Sequence, residues 1–294
     1  MVRDILGLGG EEMSAKITVV GAGTMGSGIA QVALEAGFAV TLLDMKEEFI
    51  ERGMNTIKGF LGKKVQKGKI SQDQYAGILS KLSGSTDFAI AVNGSEMVIE
   101  AVFENLEIKK EIFGNLDSLC GPDVILASNT STLSISEIAT ATKKPQRVIG
   151  THYFSPVPLM RLVEVIRGRQ TSDEVAEKTA DICKQFGKTP IIVKDIPGFI
   201  VNRFLCLLYN EAANLVEKGI VSPQDIDSAL KLGCNWPMGV CEIMDMAGVD
   251  VCGLAMEAMY TMTGEDRYKP SPLFRKMMEK NNLGRKTGKG FYEY

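Results

Sequence analysis

Apolar residues fall in short β-branched runs over the first two-thirds of the chain and in longer helical stripes over the rest. Lys16-Ile-Thr-Val-Val20 is one such run, and it leads directly into glycines, which predicts a strand and a turn. Residues 24–36 repeat at helical spacing and stop at Gly37, and Ala39-Val-Thr-Leu-Leu43 follows as a second strand. Strand, glycine turn, helix and strand make a βαβ unit, so the sheet they begin is expected to be parallel. The next strand is delayed. Between Asp44 and Glu96 the chain is charged and helical, with one stripe at Phe49, Met54, Ile57, Phe60 and Leu61 and a second over 70–82, broken apart at Gly68. This predicts an inserted helix pair projecting from the sheet. Strands resume at 97–101, 124–127, 148–149, 162–166 and 191–193, with helices expected at 106–119, 135–142 and 173–186.

Pro197-Gly198 changes the texture. Beyond it the pattern is helical only, over 200–218, 223–232, 241–247, 251–263 and 272–280. The expected organisation is an N-terminal extension (1–15), an α/β domain of Rossmann type carrying the inserted pair (16–196) and an all-α domain (197–294).

Composition narrows the partners. The 294 residues carry 33 Lys and Arg against 36 Asp and Glu, a net charge of −3, which argues against nucleic acid. The most apolar stretch, 198–216, is interrupted by Asn202, Arg203, Asn210 and Glu211, so no membrane span is expected. Arg3, Asp4, Glu11 and Glu12 make the first residues unlike a signal peptide and more like a frayed extension. Six cysteines form no CxxC pair and there is one histidine, so no metal site is expected. Reduced thiols packed in apolar surroundings fit the cytoplasm.

Gly21-Ala22-Gly23-Thr24-Met25-Gly26 reads GxGxxG between a predicted strand and a predicted helix, the context a dinucleotide pyrophosphate requires. Asp44 closes the second strand 23 residues after Gly21, placed to accept from adenosine ribose hydroxyls. A carboxylate there disfavours a 2′-phosphate and Met45 adds no cation, which favours NAD, although Lys46 leaves NADP open.

His152 follows the 148–149 strand at its carboxyl end, where open α/β sheets hold their sites. Glu164 stands 12 residues later in an otherwise apolar strand, where a carboxylate is costly unless paired. Pairing the two would orient the imidazole for acid/base work. Ser128-Asn129-Thr130-Ser131-Thr132 also follows a strand, and reads either as a polar site floor or as a cap for the next helix.

The runs VVGAGTMGSGIAQ, VIEAVFENLEIKK, ILASNTSTLSI, GTHYFSP, LVEVI, PGFIVNR and GRKTGKGFYEY together resemble the 3-hydroxyacyl-CoA dehydrogenases, above all the bacterial 3-hydroxybutyryl-CoA enzymes, across residues 16–294. The resemblance implies an NAD-dependent oxidoreductase acting at C3 of an acyl-CoA. It implies His152 as catalytic acid/base, Glu164 as its acidic partner, and Ser131 and Asn202 as substrate contacts. It further implies Glu104, Lys109, Ser131, Ser155 and Lys286 beside the cofactor, Lys63 and Lys67 on coenzyme A, and a homodimer. The Met- and Leu-rich helices around 204–208 and 254–260 fit a subunit interface or an intramolecular core equally. Three departures stand out. Ser155 replaces the usual Asn, Trp236 replaces the usual His in Asn235-Trp236-Pro237-Met238-Gly239-Val240, and about 14 residues precede the first strand. The alternatives are a dehydrogenase of CoA-free β-hydroxy acids and a non-catalytic NAD-binding relative.

Overall fold

The computed structural model describes residues 15–294. The extension expected over 1–15 therefore lies, apart from Ala15, outside the described residues. Two compact units follow one another along the chain, the first ending at Asp195 and the second spanning Ile196–Tyr294.

The first unit is built on β1 (Lys16–Val20), α1 (Thr24–Glu35), β2 (Ala39–Leu43), α2 (Glu47–Gln66), α3 (Gln72–Leu79), β3 (Leu82–Ser85), α4 (Phe88–Val92), β4 (Ser95–Glu100), α5 (Leu106–Leu119), β5 (Ile125–Ser128), α6 (Ile135–Ala139), β6 (Val148–Tyr153), β7 (Leu162–Arg167), α7 (Asp173–Gln185) and β8 (Thr189–Lys194). The strands form one sheet in the order β3-β2-β1-β4-β5-β6-β7-β8. All neighbours are parallel except β6 and β7. β1, β2 and β4 are buried on both faces, which is why they read as continuous apolar runs. The chain leaves β1 towards one edge and returns to β4 on its other side, so the sheet switches direction between the ends of β1 and β4.

Several expectations are corrected. The helical stripe over 70–82 ends at Leu79, and Leu82–Ser85 is a strand parallel to β2. The first helix of the inserted pair lies on the sheet over most of its length, and the second packs on helices α1 and α2. α2 buries Ile50, Gly53, Ile57 and Leu61 against α1, β2 and β3. It comes so close to the glycine turn that a Cβ at Gly53 would lie 2.8 Å from the Ala22 carbonyl oxygen. α6 stops at Ala139 rather than 142, because the Thr140 and Thr142 hydroxyls donate to the Glu137 and Ala139 carbonyls and satisfy the helix end. β6 continues to Tyr153, so His152 lies within the strand, held there by its antiparallel pairing with β7.

The second unit holds α8 (Val201–Glu217), α9 (Pro223–Cys234), α10 (Val240–Ala247), α11 (Val249–Thr263) and α12 (Pro272–Glu279), and no strand among its described residues. Tyr209, Met244, Met256, Met259, Tyr268 and Phe274 centre its core. Asp245 accepts from the backbone of Phe291 and Tyr292 at 2.8 and 2.9 Å, fastening the chain's end to α10. All six cysteines are free, and Cys183, Cys206, Cys241 and Cys252 are buried as expected. Cys234 departs from that pattern, being exposed at the end of α9.

Candidate active site

The glycine turn leaves β1 at the switch in strand order. Gly21 has φ +101°, and a Cβ there would lie 2.6 Å from the Ala101 carbonyl oxygen. A Cβ at Gly26 would overlap the Gly21 carbonyl, so α1 rests directly on the turn. Gly23 differs, since its φ of −72° suits any residue and a Cβ there would meet nothing within 4 Å. The protein itself has no need of a glycine at 23. The open space lies at the first turn of α1, where N–H groups lack intrahelical partners, and it fits a pyrophosphate approaching the backbone. Thr24 is exposed and Met25 half-buried beside it. Asp44 braces the turn, with Oδ2 accepting from Ala22 N and Oδ1 from Met45 N, both at 2.7 Å. Each carboxylate oxygen keeps a further lone pair for a ribose hydroxyl.

Beyond β4 the site is organised by charge. Glu100, at 0% exposure, accepts from Lys109 Nζ at 2.6 Å, from Val102 N at 2.7 Å and from Ser128 Oγ at 2.7 Å. Lys109 is 1% exposed and also lies 3.4 Å from Glu104 Oε2. Glu104 Oε1 accepts from Thr130 Oγ1 at 2.6 Å, from Ser131 N at 2.8 Å and from Thr132 N at 3.1 Å, and the Ser131 hydroxyl donates to it at 3.2 Å. Burial pushes the Glu104 carboxyl up. The Thr130 hydroxyl, the Lys109 charge and the Ser131 and Thr132 amides outweigh it and hold the group below its ordinary value. The polar loop is thus fastened to acidic anchors, while α6 is capped by Ser134, whose Oγ accepts from Glu137 N. Asn129 Oδ1 accepts from Tyr153 N at 3.0 Å and ties this loop to the residue after His152.

His152 and Glu164 are register partners across β6 and β7. Imidazole Nδ1 lies 2.7 Å from Glu164 Oε2, with the residues 6% and 0% exposed. The Phe154 ring lies against the imidazole at 4.4 Å between centroids.

Ser155 is exposed just after β6. Lys63 is exposed near the end of α2 with its ammonium over the Phe60 ring, and Lys67 caps that helix rather than lying inside it. In the second unit, Asn202 is half-buried in the first turn of α8 and Trp236 half-buried after α9. Lys286 donates to Asp250 at 2.7 Å. Burial raises the Asp250 carboxyl, but the Lys286 contact overcomes it and keeps the group low.

The sequence pattern of the 3-hydroxyacyl-CoA dehydrogenase NAD-binding domain matches residues 16–196, and that of the same family's C-terminal domain matches 198–294. The chain belongs to the 3-hydroxyacyl-CoA dehydrogenase family. A probable 3-hydroxybutyryl-CoA dehydrogenase of Deinococcus radiodurans is 46% identical over 279 residues, 95% of this chain and 100% of that one. The mitochondrial hydroxyacyl-coenzyme A dehydrogenase of Sus scrofa is 42% identical over 95% of this chain and 90% of its own. The crystal structure of an (S)-3-hydroxybutyryl-CoA dehydrogenase from Ralstonia eutropha superposes with a TM-score of 0.92 at 42% identity, covering 96% of this chain and 99% of that one. In this 3-hydroxyacyl-CoA dehydrogenase family member the cofactor is accordingly NAD. Among its described residues no group of metal-ligating side chains occurs, and no helix is long and apolar enough to cross a membrane.

Sequence reasoning missed Glu100, whose carboxylate joins Lys109 to the Ser128 end of the polar loop. The signal was present, because Glu100 ends an apolar strand just as Glu164 interrupts one, and the same cost of burial applies to both.

Proposed function

We propose that this chain catalyses reversible oxidation of 3-hydroxyacyl-CoA to 3-oxoacyl-CoA, with 3-hydroxybutyryl-CoA as the favoured substrate class. The carrying observation is the buried His152–Glu164 pair on the last turn of strand before the carboxyl edge of β6. Bound NAD supplies the acceptor for the hydride leaving C3, and its reduced form the donor in the reverse direction. Glu164 accepts the Nδ1 proton of His152, which puts the basic lone pair on Nε2. In oxidation Nε2 takes the proton of the 3-hydroxyl, and Glu164 stabilises the imidazolium that results. In reduction the same nitrogen returns the proton to the 3-oxo oxygen. Ser131 and Asn202 orient that oxygen, so the reacting atoms meet without a large entropic barrier at the chemical step.

Glu104, Lys109, Ser155 and Lys286 flank the cofactor in this reading, with Gly21 to Gly26 and Asp44 on its pyrophosphate and adenosine side. Lys63 and Lys67 meet the phosphates of coenzyme A. Residues 16–196 serve the cofactor, and 197–294 serve substrate binding and dimerisation. A cytoplasmic homodimer completes the proposal. Free cysteines support the compartment. Phe204, Val251 and Leu254, all exposed on the second unit, support the subunit contact.

The test is NADH consumption with acetoacetyl-CoA against acetoacetate. Turnover of the thioester alone is expected. Turnover of the free acid instead would point to a CoA-free dehydrogenase, and turnover of neither to a non-catalytic NAD-binding protein. A monomer by light scattering at micromolar concentration would remove the dimer.

A further inference from the structure

We infer that Glu100 is a positioning residue for the reaction, a buried carboxylate that fixes the loop carrying Ser131 at its beginning and at its middle. The inference rests on Ser131 being a substrate contact. Glu100 ends β4 at the centre of the sheet and is the register partner of Ser128, the last residue of β5. Its Oε2 accepts from Ser128 Oγ at 2.7 Å, and its backbone oxygen accepts from Asn129 N at 2.7 Å, which holds the start of the loop. Its Oε1 holds Lys109 Nζ at 2.6 Å. That ammonium lies 3.4 Å from Glu104 Oε2, and Glu104 Oε1 takes Ser131 N at 2.8 Å, which holds the middle. A negative, positive, negative relay therefore runs from the central strand to the backbone of Ser131.

A purely structural role accounts poorly for this arrangement. Packing alone is served as well or better by apolar side chains than by a buried ion pair. The rest of β4 approaching this end is Met97-Val-Ile99, fully buried without charge. Apart from Val102 N, which pins the Glu104 segment itself, each side-chain partner of Glu100 leads to the five residues from Ser128 to Thr132.

The experiment is a double-mutant cycle with Ser131→Ala, read as kcat for acetoacetyl-CoA reduction at saturating NADH. Glu100→Ala is expected to lower kcat by about 10- to 100-fold, the scale of a misplaced orienting group. Glu100→Gln keeps the shape, because the Ser128 hydroxyl can turn to accept from the new amide, and is expected to recover kcat to within about threefold of wild type. In the Ser131→Ala background, Glu100→Ala is expected to cost no more than about twofold, since the group it positions is gone. Losses that multiply in the double variant, or a Glu100→Ala enzyme with wild-type kcat, overturn the inference. Ser131→Ala with wild-type kcat overturns the serine's role and this inference with it, and is told apart by that single variant. Should Glu100→Ala yield insoluble protein, Ser128→Ala removes the first anchor alone and enters the same cycle. There a wild-type kcat, or a loss that multiplies, overturns the inference, and a loss that vanishes with Ser131→Ala supports it.

Discussion

His152 and Glu164 face each other across the one antiparallel seam of the sheet, Nδ1 to Oε2 at 2.7 Å, with the carboxylate fully enclosed. A carboxylate so placed fixes both the tautomer and the plane of the imidazole. His152→Gln is expected to lower kcat by about 10²–10⁴-fold, the range of a lost general acid/base, while NADH binding measured by fluorescence stays near wild type. Glu164→Gln is expected to lower kcat by up to about 10⁴-fold, because an amide can hold the imidazole in the wrong tautomer and its imidazolium loses a counter-charge. Steady-state kinetics of the two single variants and the double variant check this, with the double no worse than His152→Gln alone.

Asp44 holds the glycine turn and keeps acceptor capacity for the ribose. Asp44→Asn removes the charge that repels a 2′-phosphate. The Kd for NADH is expected to rise by about tenfold, the worth of a charged hydrogen bond, while that for NADPH changes little or falls. Fluorescence titration with both dinucleotides measures the ratio.

Lys63 and Lys67 are separated by one helical turn at the exposed end of α2, and neighbouring Lys64 is engaged by Glu35 instead. Replacing both Lys63 and Lys67 by Ala is expected to raise the KM for acetoacetyl-CoA by about 5- to 20-fold at low salt with kcat little changed, and to flatten its dependence on ionic strength. An unchanged KM at low salt removes these lysines from the substrate.

Glu104 has a folded carboxyl held below its ordinary 4.5. A depressed carboxylate contributes stability above the unfolded value, and that contribution disappears as pH falls through the folded value. Wild-type Tm is therefore expected to drop on acidification below about 4.5 more steeply than that of Glu104→Gln. Scanning calorimetry from pH 6 to about 3 reads the two slopes.

The strong periodicities carried most of the architecture. Leu106–Leu119 was legible to the residue, because Asn105 caps it and its apolar face repeats cleanly. β3 was not legible. Leu-Ser-Gly-Ser is four residues long at the sheet's edge, half-polar and without a β-branched side chain, so nothing local marks it, and only pairing with β2 makes it a strand. His152 and Glu164 could be suspected as partners from the cost of an unpaired carboxylate, but the strand's true end needed the register of β7. Lys109 reads in sequence as one of several charges on an amphipathic helix. Its burial follows from the reach of α5 over Glu100, a tertiary fact that spacing alone does not contain.

The open space at Gly23 has its own consequence. As an N-cap, alanine is worse than glycine, yet it also narrows the unfolded chain's freedom, and the two effects of about 1 kcal/mol nearly cancel. The folded chain is thus almost indifferent to a methyl at that position. Only an incoming dinucleotide would feel it. Grip on the coenzyme and resistance to heat can drift independently there, leaving affinity adjustable by one small side chain without disturbing the scaffold.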